Sequence, residues 1–253
     1  MAKLDALLFD VDGTLADTER DGHRVAFNRA FADAGLDWHW SEELYGKLLA
    51  VTGGKERIGR YLEQYNTSFE APGDLKAFIA GLHKAKTAHF TRMLSEGRIP
   101  LRPGVRRLIS EARAAGLKLA VATTTTPENV TALLENALEP GATEWFDVIA
   151  AGDVVPKKKP APDIYLHAME RLGLAPEQCI AFEDSHNGVI SSSSAGLKTI
   201  VAVNGYTRDE AFDAAVVVLD HWGEPDSPFE VMAGEVGEAT FLDLALVRRL
   251  HES

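Results

Sequence analysis

The run LDALLFDVDGT at residues 4–14 decides how the rest of the chain is read. Its apolar part, 4–9, is too short for a helix and has the length of a buried strand. Asp10 and Asp12 follow two apart at the strand's carboxyl end, and Gly13 gives the backbone freedom for a turn. Open α/β sheets bind ligands outside the carboxyl ends of their strands, so the two carboxylates can address one small ligand. The pattern is too short for a calcium loop, although an ordinary turn could carry the same residues.

Working outward, short apolar runs recur at 117–122, 146–150, 180–182, 199–203 and 216–219, separated by helical stretches such as 103–115 and 163–172. Pro103 in the first turn and Gly116 at the end bound the first of these helices, and Gly173 ends the second. Strands alternating with helices predict an α/β domain built on a parallel sheet. The interval 18–97 differs. It has little strand signal but two amphipathic stripes, one through Phe27, Ala30, Phe31 and Ala34, the other through Leu75, Phe78, Ile79, Leu82, His89, Phe90 and Met93. A helical insertion after the first strand is the economical reading, with a loop at 63–74. A last helix is expected at 241–250.

Two further strand ends and one proline-bounded lysine run carry polar groups. Residues 119–122 run into Thr123-Thr124-Thr125-Thr126, whose hydroxyls and free N–H groups suit a phosphate oxygen, or equally a helix cap. Lys157-Lys158-Lys159-Pro160 adds positive charge, in a pattern that also fits a solvated face. The apolar run at 180–182 ends in Glu183-Asp184, hard oxygen ligands that suit Mg²⁺.

With 253 residues and a net charge of -12, the chain lacks the basic balance that a broad nucleic-acid or anionic-membrane surface demands. No apolar run approaches a membrane span, and the start, carrying Asp5, fits neither a signal nor a transit peptide. A cytoplasmic monomer is the expectation. The single cysteine, Cys179, is expected to be a buried thiol. Trp38-His39-Trp40 is read as packing, since no basic groove accompanies it.

The blocks at Asp10-Val11-Asp12-Gly13-Thr14, Thr123, Lys159-Pro160 and Glu183-Asp184-Ser185 resemble, in order and spacing, the four motifs of the haloacid dehalogenase superfamily. Residues 17–24 and 52–57 further resemble its CbbY-type branch, whose substrate is xylulose 1,5-bisphosphate. The resemblance implies a Rossmann-like core of residues 1–17 and 98–253 with a helical cap at 18–97.

It also implies a phosphatase. Asp10 would be the nucleophile, Asp12 the general acid and base, and Lys159 the cation that keeps Asp10 ionised, with Thr123 and the Thr124 N–H holding the transferring phosphoryl group. Mg²⁺ would be held by Asp10, the Asp12 carbonyl and Asp184, with Glu183 a ligand directly or through water. A bisphosphate needs a second anion site, for which Gly54, Lys55 and Arg57 are candidates, and Glu19, Asp21, His23 and Tyr45 are candidates for sugar hydroxyls. His23 could equally be a helix-surface histidine. The implied role is removal of a by-product that inhibits carbon fixation. The rival readings are a β-phosphoglucomutase-like mutase, a phosphoglycolate phosphatase and a non-catalytic phosphosugar sensor. Ser191 to Ser194 replace the alanine-rich helix expected after the fourth motif, and a weaker helix is anticipated there.

Overall fold

The structure is a computed structural model that describes residues 3–253. One seven-stranded sheet has the order β3-β2-β1-β4-β5-β6-β7. Its strands are β1 (Ala6–Phe9), β2 (Lys118–Ala122), β3 (Val148–Ala150), β4 (Cys179–Glu183), β5 (Lys198–Ala202), β6 (Val217–Leu219) and β7 (Val231–Gly234). All pairings are parallel except β6 with β7. β1 lies inside the sheet between β2 and β4, with crossovers leaving to either side, which makes its carboxyl end the point where the chain direction switches and a crevice opens. Phe9 stands level with Val121 of β2 and Phe182 of β4, so the residues that follow all three emerge at one rim.

The strands read as continuous apolar runs because both sheet faces are covered. Leu7 and Phe9 point into one layer, packed against α5 (Val105–Ala114), α6 (Pro127–Leu133) and α9 (Leu244–Glu252). Ala6, Leu8, Ala120, Ala122 and Ala181 point into the other, where small side chains let α7 (Asp163–Leu172) approach with Ile164, Tyr165 and Met169. Between β1 and α5 the chain leaves the sheet through a π-helical turn at Glu19–His23 and four helices: α1 (Arg24–Asp33), α2 (Glu42–Leu48), α3 (Gly54–Gln64) and α4 (Leu75–Ser95). These bury an aromatic cluster of their own, with Phe27, Phe31, Trp38, Trp40, Tyr45 and Tyr61, so the two tryptophans are packing residues as expected.

Two expectations change. Residue 103 is not in the first turn of its helix, because Gly104 takes a left-handed conformation at φ 86° and α5 starts at Val105; a Cβ at Gly104 would collide with Trp222 and the Gly223 carbonyl. The serine run also makes contacts that helix propensity does not anticipate. α8 (His186–Ser194) includes it, and Ser191 donates to the Ala161 carbonyl at 2.7 Å while Ser192 pairs with Thr199 of β5 at 2.6 Å. These hydroxyls fasten the helix to its neighbours, and Cys179 is buried in the core as expected.

The two segments joining the helical insertion to the sheet run side by side, with Ala16 bridged to Leu101. Beside them the buried guanidinium of Arg102 donates to the carbonyls of Gly13, Ala202, Val203 and Asp220. One side chain thereby ties the turn after β1 to the ends of β5 and β6.

Candidate active site

At the shared rim the structure brings together Asp10 after β1, Lys159 before α7, and Glu183 and Asp184 at the end of β4. Lys159 Nζ donates to Asp10 Oδ1 at 2.7 Å and to Glu183 Oε1 at 2.6 Å. The side chain of Lys159 is only 5% exposed, and burial is outweighed by Asp10 and Glu183, which raise its pKa and keep it charged. Burial drives Asp10 up to about 7; Lys159 pulls the other way and Glu183 adds to the rise. Asp184 is pushed far above the carboxylate range by burial, then by the like charges of Asp10 and Glu183.

Oxygens of Asp10, Glu183 and Asp184 lie within 4.8 Å of one another. One lysine cannot neutralise three buried carboxylates, and an all-oxygen donor set of this charge fits a hard divalent cation such as Mg²⁺. Gly13, at φ 87°, lies flush against the Asp184 carboxylate and Asn204, and any Cβ there would overlap both. Asn204 at the end of β5 donates to Asp184 Oδ2 at 2.6 Å.

Asp12 faces the helical insertion. Its Oδ1 accepts from Thr18 Oγ1 at 2.6 Å and lies 2.7 Å from His23 Nε2, while Lys86 Nζ lies 2.7 Å from His23 Nδ1. A lysine ammonium only donates, so His23 carries its proton on Nε2 and passes it toward Asp12 as a hydrogen bond. Burial alone would raise the Asp12 carboxyl, but the electrostatic pull and hydrogen bond of His23, then the Thr18 hydrogen bond and the Lys86 ammonium behind the imidazole, hold it well below the usual range.

Two cavities lie between the helical insertion and the sheet rim and share Asp12, Glu19, Gly53, Arg57 and Thr124 as lining. One, of about 390 Å³, holds Asp10, Thr123, Lys159 and Asp184. The other, of about 460 Å³, is lined by Gly54, Lys55, His23, His83, Lys86 and Lys158. Four cations, Lys55, Arg57, Lys86 and Lys158, line it together with four acids, Asp12, Glu19, Glu128 and Asp153.

Several sequence-stretch candidates sit differently from the expectation. Tyr45 is fully buried behind Glu19, donating to Glu19 and accepting from Arg57 at 2.7 Å, and lines neither cavity; it orients these two rather than meeting a sugar. Asp21 points to solvent and pairs with Arg20 at 2.8 Å. His23 is not a surface histidine, and both its nitrogens are engaged. Lys55 reaches across to Asp153 at 2.7 Å, and Lys158 pairs with both Asp153 and Glu56 at 3.1 Å, so four charges span the mouth between α3 and the sheet rim.

Sequence reasoning missed Thr18, Lys86, Asn204 and Tyr165. Lys86 had a usable signal, for it shares a helix face with Leu82 and Phe90 in the stripe of α4, where a lysine is out of place. Burial lowers its pKa to about 8, against the opposing pull of Asp12 and Glu19. The unfolded chain, titrating near 10.5, binds that proton more tightly, so the penalty is full below about pH 8 and fades as pH rises toward 10.5. Lys86→Met is therefore expected to stabilise the fold at pH 7 by about 3 kcal/mol, at the expense of turnover. Melting curves from pH 7 to 10 check it: wild type should gain stability across this window and the variant should not.

A parallel sheet with a paired-carboxylate rim under a helical insertion defines a phosphatase of the haloacid dehalogenase type. The family model described as haloacid dehalogenase-like hydrolase matches residues 4–196. The chain belongs to that family, and within it to the CbbY-type branch. It is 50% identical over 224 residues to protein CbbY of Rhodobacter capsulatus, covering 88% of this chain and 94% of the relative. The crystal structure of CbbY from Rhodobacter sphaeroides with phosphate superposes with a TM-score of 0.81 at 50% identity, over 87% of this chain and 96% of that one. A mutant of the same protein in complex with xylulose-(1,5)bisphosphate matches equally, with a TM-score of 0.81.

Proposed function

We propose that this phosphatase removes one phosphate from a sugar bisphosphate, xylulose 1,5-bisphosphate, to give xylulose 5-phosphate, through an aspartyl phosphate on Asp10 and with Mg²⁺ as cofactor. The observation that carries the reading is the meeting of Asp10, Lys159 and Asp184 at one wall of the 390 Å³ cavity, beside a second cavity into which Lys55, Arg57, Lys86 and Lys158 converge. The bound ligand of the Rhodobacter sphaeroides relative supports the choice of sugar.

In this reading Asp10 attacks phosphorus and the bond to the sugar oxygen breaks. Asp12 protonates the departing alkoxide, then takes a proton from the water that attacks the aspartyl phosphate and frees inorganic phosphate. His23 and Thr18 hold Asp12 ionised, ready as the base; the arriving phosphoryl dianion raises its pKa and loads it as the acid. Thr123 and Thr124 receive the equatorial phosphoryl oxygens, and Lys159 neutralises their charge while orienting Asp10. Mg²⁺, held by Asp10, the Asp12 carbonyl and Asp184 with Glu183 at its edge, would supply further charge neutralisation.

Residues 18–97 act as a cap over a core of 1–17 and 98–253. Gly54, Lys55 and Arg57 take the distal phosphate, Lys55 exchanging Asp153 for it, and Glu19 meets the sugar hydroxyls. The test is phosphate release across sugar mono- and bisphosphates and phosphoglycolate, with Mg²⁺ and with EDTA. The expected result is the highest kcat/KM for xylulose 1,5-bisphosphate, one phosphate per sugar, and no turnover in EDTA. Isomerisation of β-glucose 1-phosphate without phosphate release would assign a mutase instead.

A further inference from the structure

Tyr165 lies in the first turn of α7, six residues after Lys159, and is fully buried. Its hydroxyl donates to Glu183 Oε1 at 2.5 Å, the same oxygen that receives Lys159 at 2.6 Å. The Lys159 ammonium also lies 5.0 Å from the centre of the Tyr165 ring, over its face. Gly188 of α8 lies flush against the Glu183 carboxylate, nearest its Oε2, so closely that a Cβ would overlap it. Among the described residues Glu183 Oε2 has only a long contact, 3.4 Å, from the Asp184 N–H. The carboxylate is thus wedged between a hydroxyl, an ammonium and a glycine, and turning it toward Asp10 and Asp184 would break the tyrosine bond.

We propose that Tyr165 is a positioning residue for the reaction: by fixing the Glu183 oxygen that anchors Lys159, it sets the ammonium on Asp10 and keeps Glu183 a partner of the lysine first and of the cation second. A phenylalanine would fill the same space, so the packing of the ring alone does not account for the hydroxyl. A second-layer hydrogen bond of this kind is typically worth a factor of about 10 to 100 in activity. The inference rests on the roles given above to Lys159 and Glu183.

The experiment is a double-mutant cycle of Tyr165→Phe and Glu183→Gln, with xylulose 1,5-bisphosphate and p-nitrophenyl phosphate as substrates and calorimetric titration of Mg²⁺ alone. Tyr165→Phe is expected to lower kcat about tenfold with KM within about twofold, and to bind Mg²⁺ as tightly as wild type or more tightly, since Glu183 is released toward the cation. The double variant should be no slower than Glu183→Gln. Wild-type kcat in Tyr165→Phe, weakened Mg²⁺ binding, or a double variant slower than Glu183→Gln by the whole tyrosine factor overturns the proposal. If Tyr165→Phe does not fold, Gly188→Ala decides by pressing on the Glu183 carboxylate at its Oε2: reduced kcat at unchanged KM supports the wedge, and wild-type kcat overturns it. Failure of the underlying reading is separately visible, because Lys159→Met would then retain turnover.

Discussion

Asp10→Asn is expected to fold and to lose turnover by roughly 10⁴-fold or more, the scale on which removal of a nucleophile is felt. The amide keeps the shape of the carboxylate and can still accept from Lys159 Nζ, now 2.7 Å from Oδ1, but it cannot form an acyl phosphate. The variant should at the same time be more stable than wild type in EDTA at pH 8. The folded protein raises the Asp10 pKa from 3.8 to about 7, chiefly by burial, so the ionised form is penalised in the fold relative to the unfolded chain. That penalty is full above about pH 7, shrinks as pH falls toward 3.8, and is absent below it. Melting curves in EDTA should therefore separate the two proteins at pH 8 and bring them together near pH 4. A phosphate-release assay that found appreciable turnover in the variant would remove Asp10 as nucleophile.

Local pattern explains which parts of the site were legible in the chain. Asp10, Asp12, Thr123, Lys159, Glu183 and Asp184 each follow a short apolar run or precede a proline-marked helix, so local pattern alone placed them at strand ends, and β1, β2, β4 and β5 were readable as unbroken apolar runs because helices cover both faces. β7 was not readable. Its residues 231–234 are largely exposed, end in glycine, and are held as a strand only by antiparallel pairing with β6. Thr18, Asn204 and Tyr165 are unremarkable where they stand in sequence. Their significance arises from contacts with Asp12, Asp184 and Glu183, which no local pattern encodes. Lys55 could be recognised as a cation near a glycine pair, but its partner Asp153 is 98 residues away.

Lys159→Met is expected to lower turnover by roughly 10³-fold, as loss of a charge-stabilising group in a water-excluded site does, and to destabilise the fold where Asp10→Asn stabilises it. Both variants remove one charge from the same buried cluster, yet the remainder differs. Without Lys159, Asp10 and Glu183 face each other with Asp184 nearby and no cation between them. Breaking a buried pair in this way costs about 3–5 kcal/mol when the stranded charge stays ionised. In wild type the lysine pKa is raised in the fold, so its contribution is complete below 10.5 and is lost only as pH climbs above that. In the variant the acids escape repulsion by taking up protons, which makes the defect largest at pH 8 and smaller toward pH 5. Mg²⁺ should recover part of the lost melting temperature, because a divalent cation neutralises the same oxygens, but it should not recover turnover, since the orientation of Asp10 is gone. Melts at pH 5 and 8 with and without Mg²⁺, paired with initial rates, test each step, and a Lys159→Met protein that melts like wild type at pH 8 in EDTA contradicts the charge balance on which the site is built.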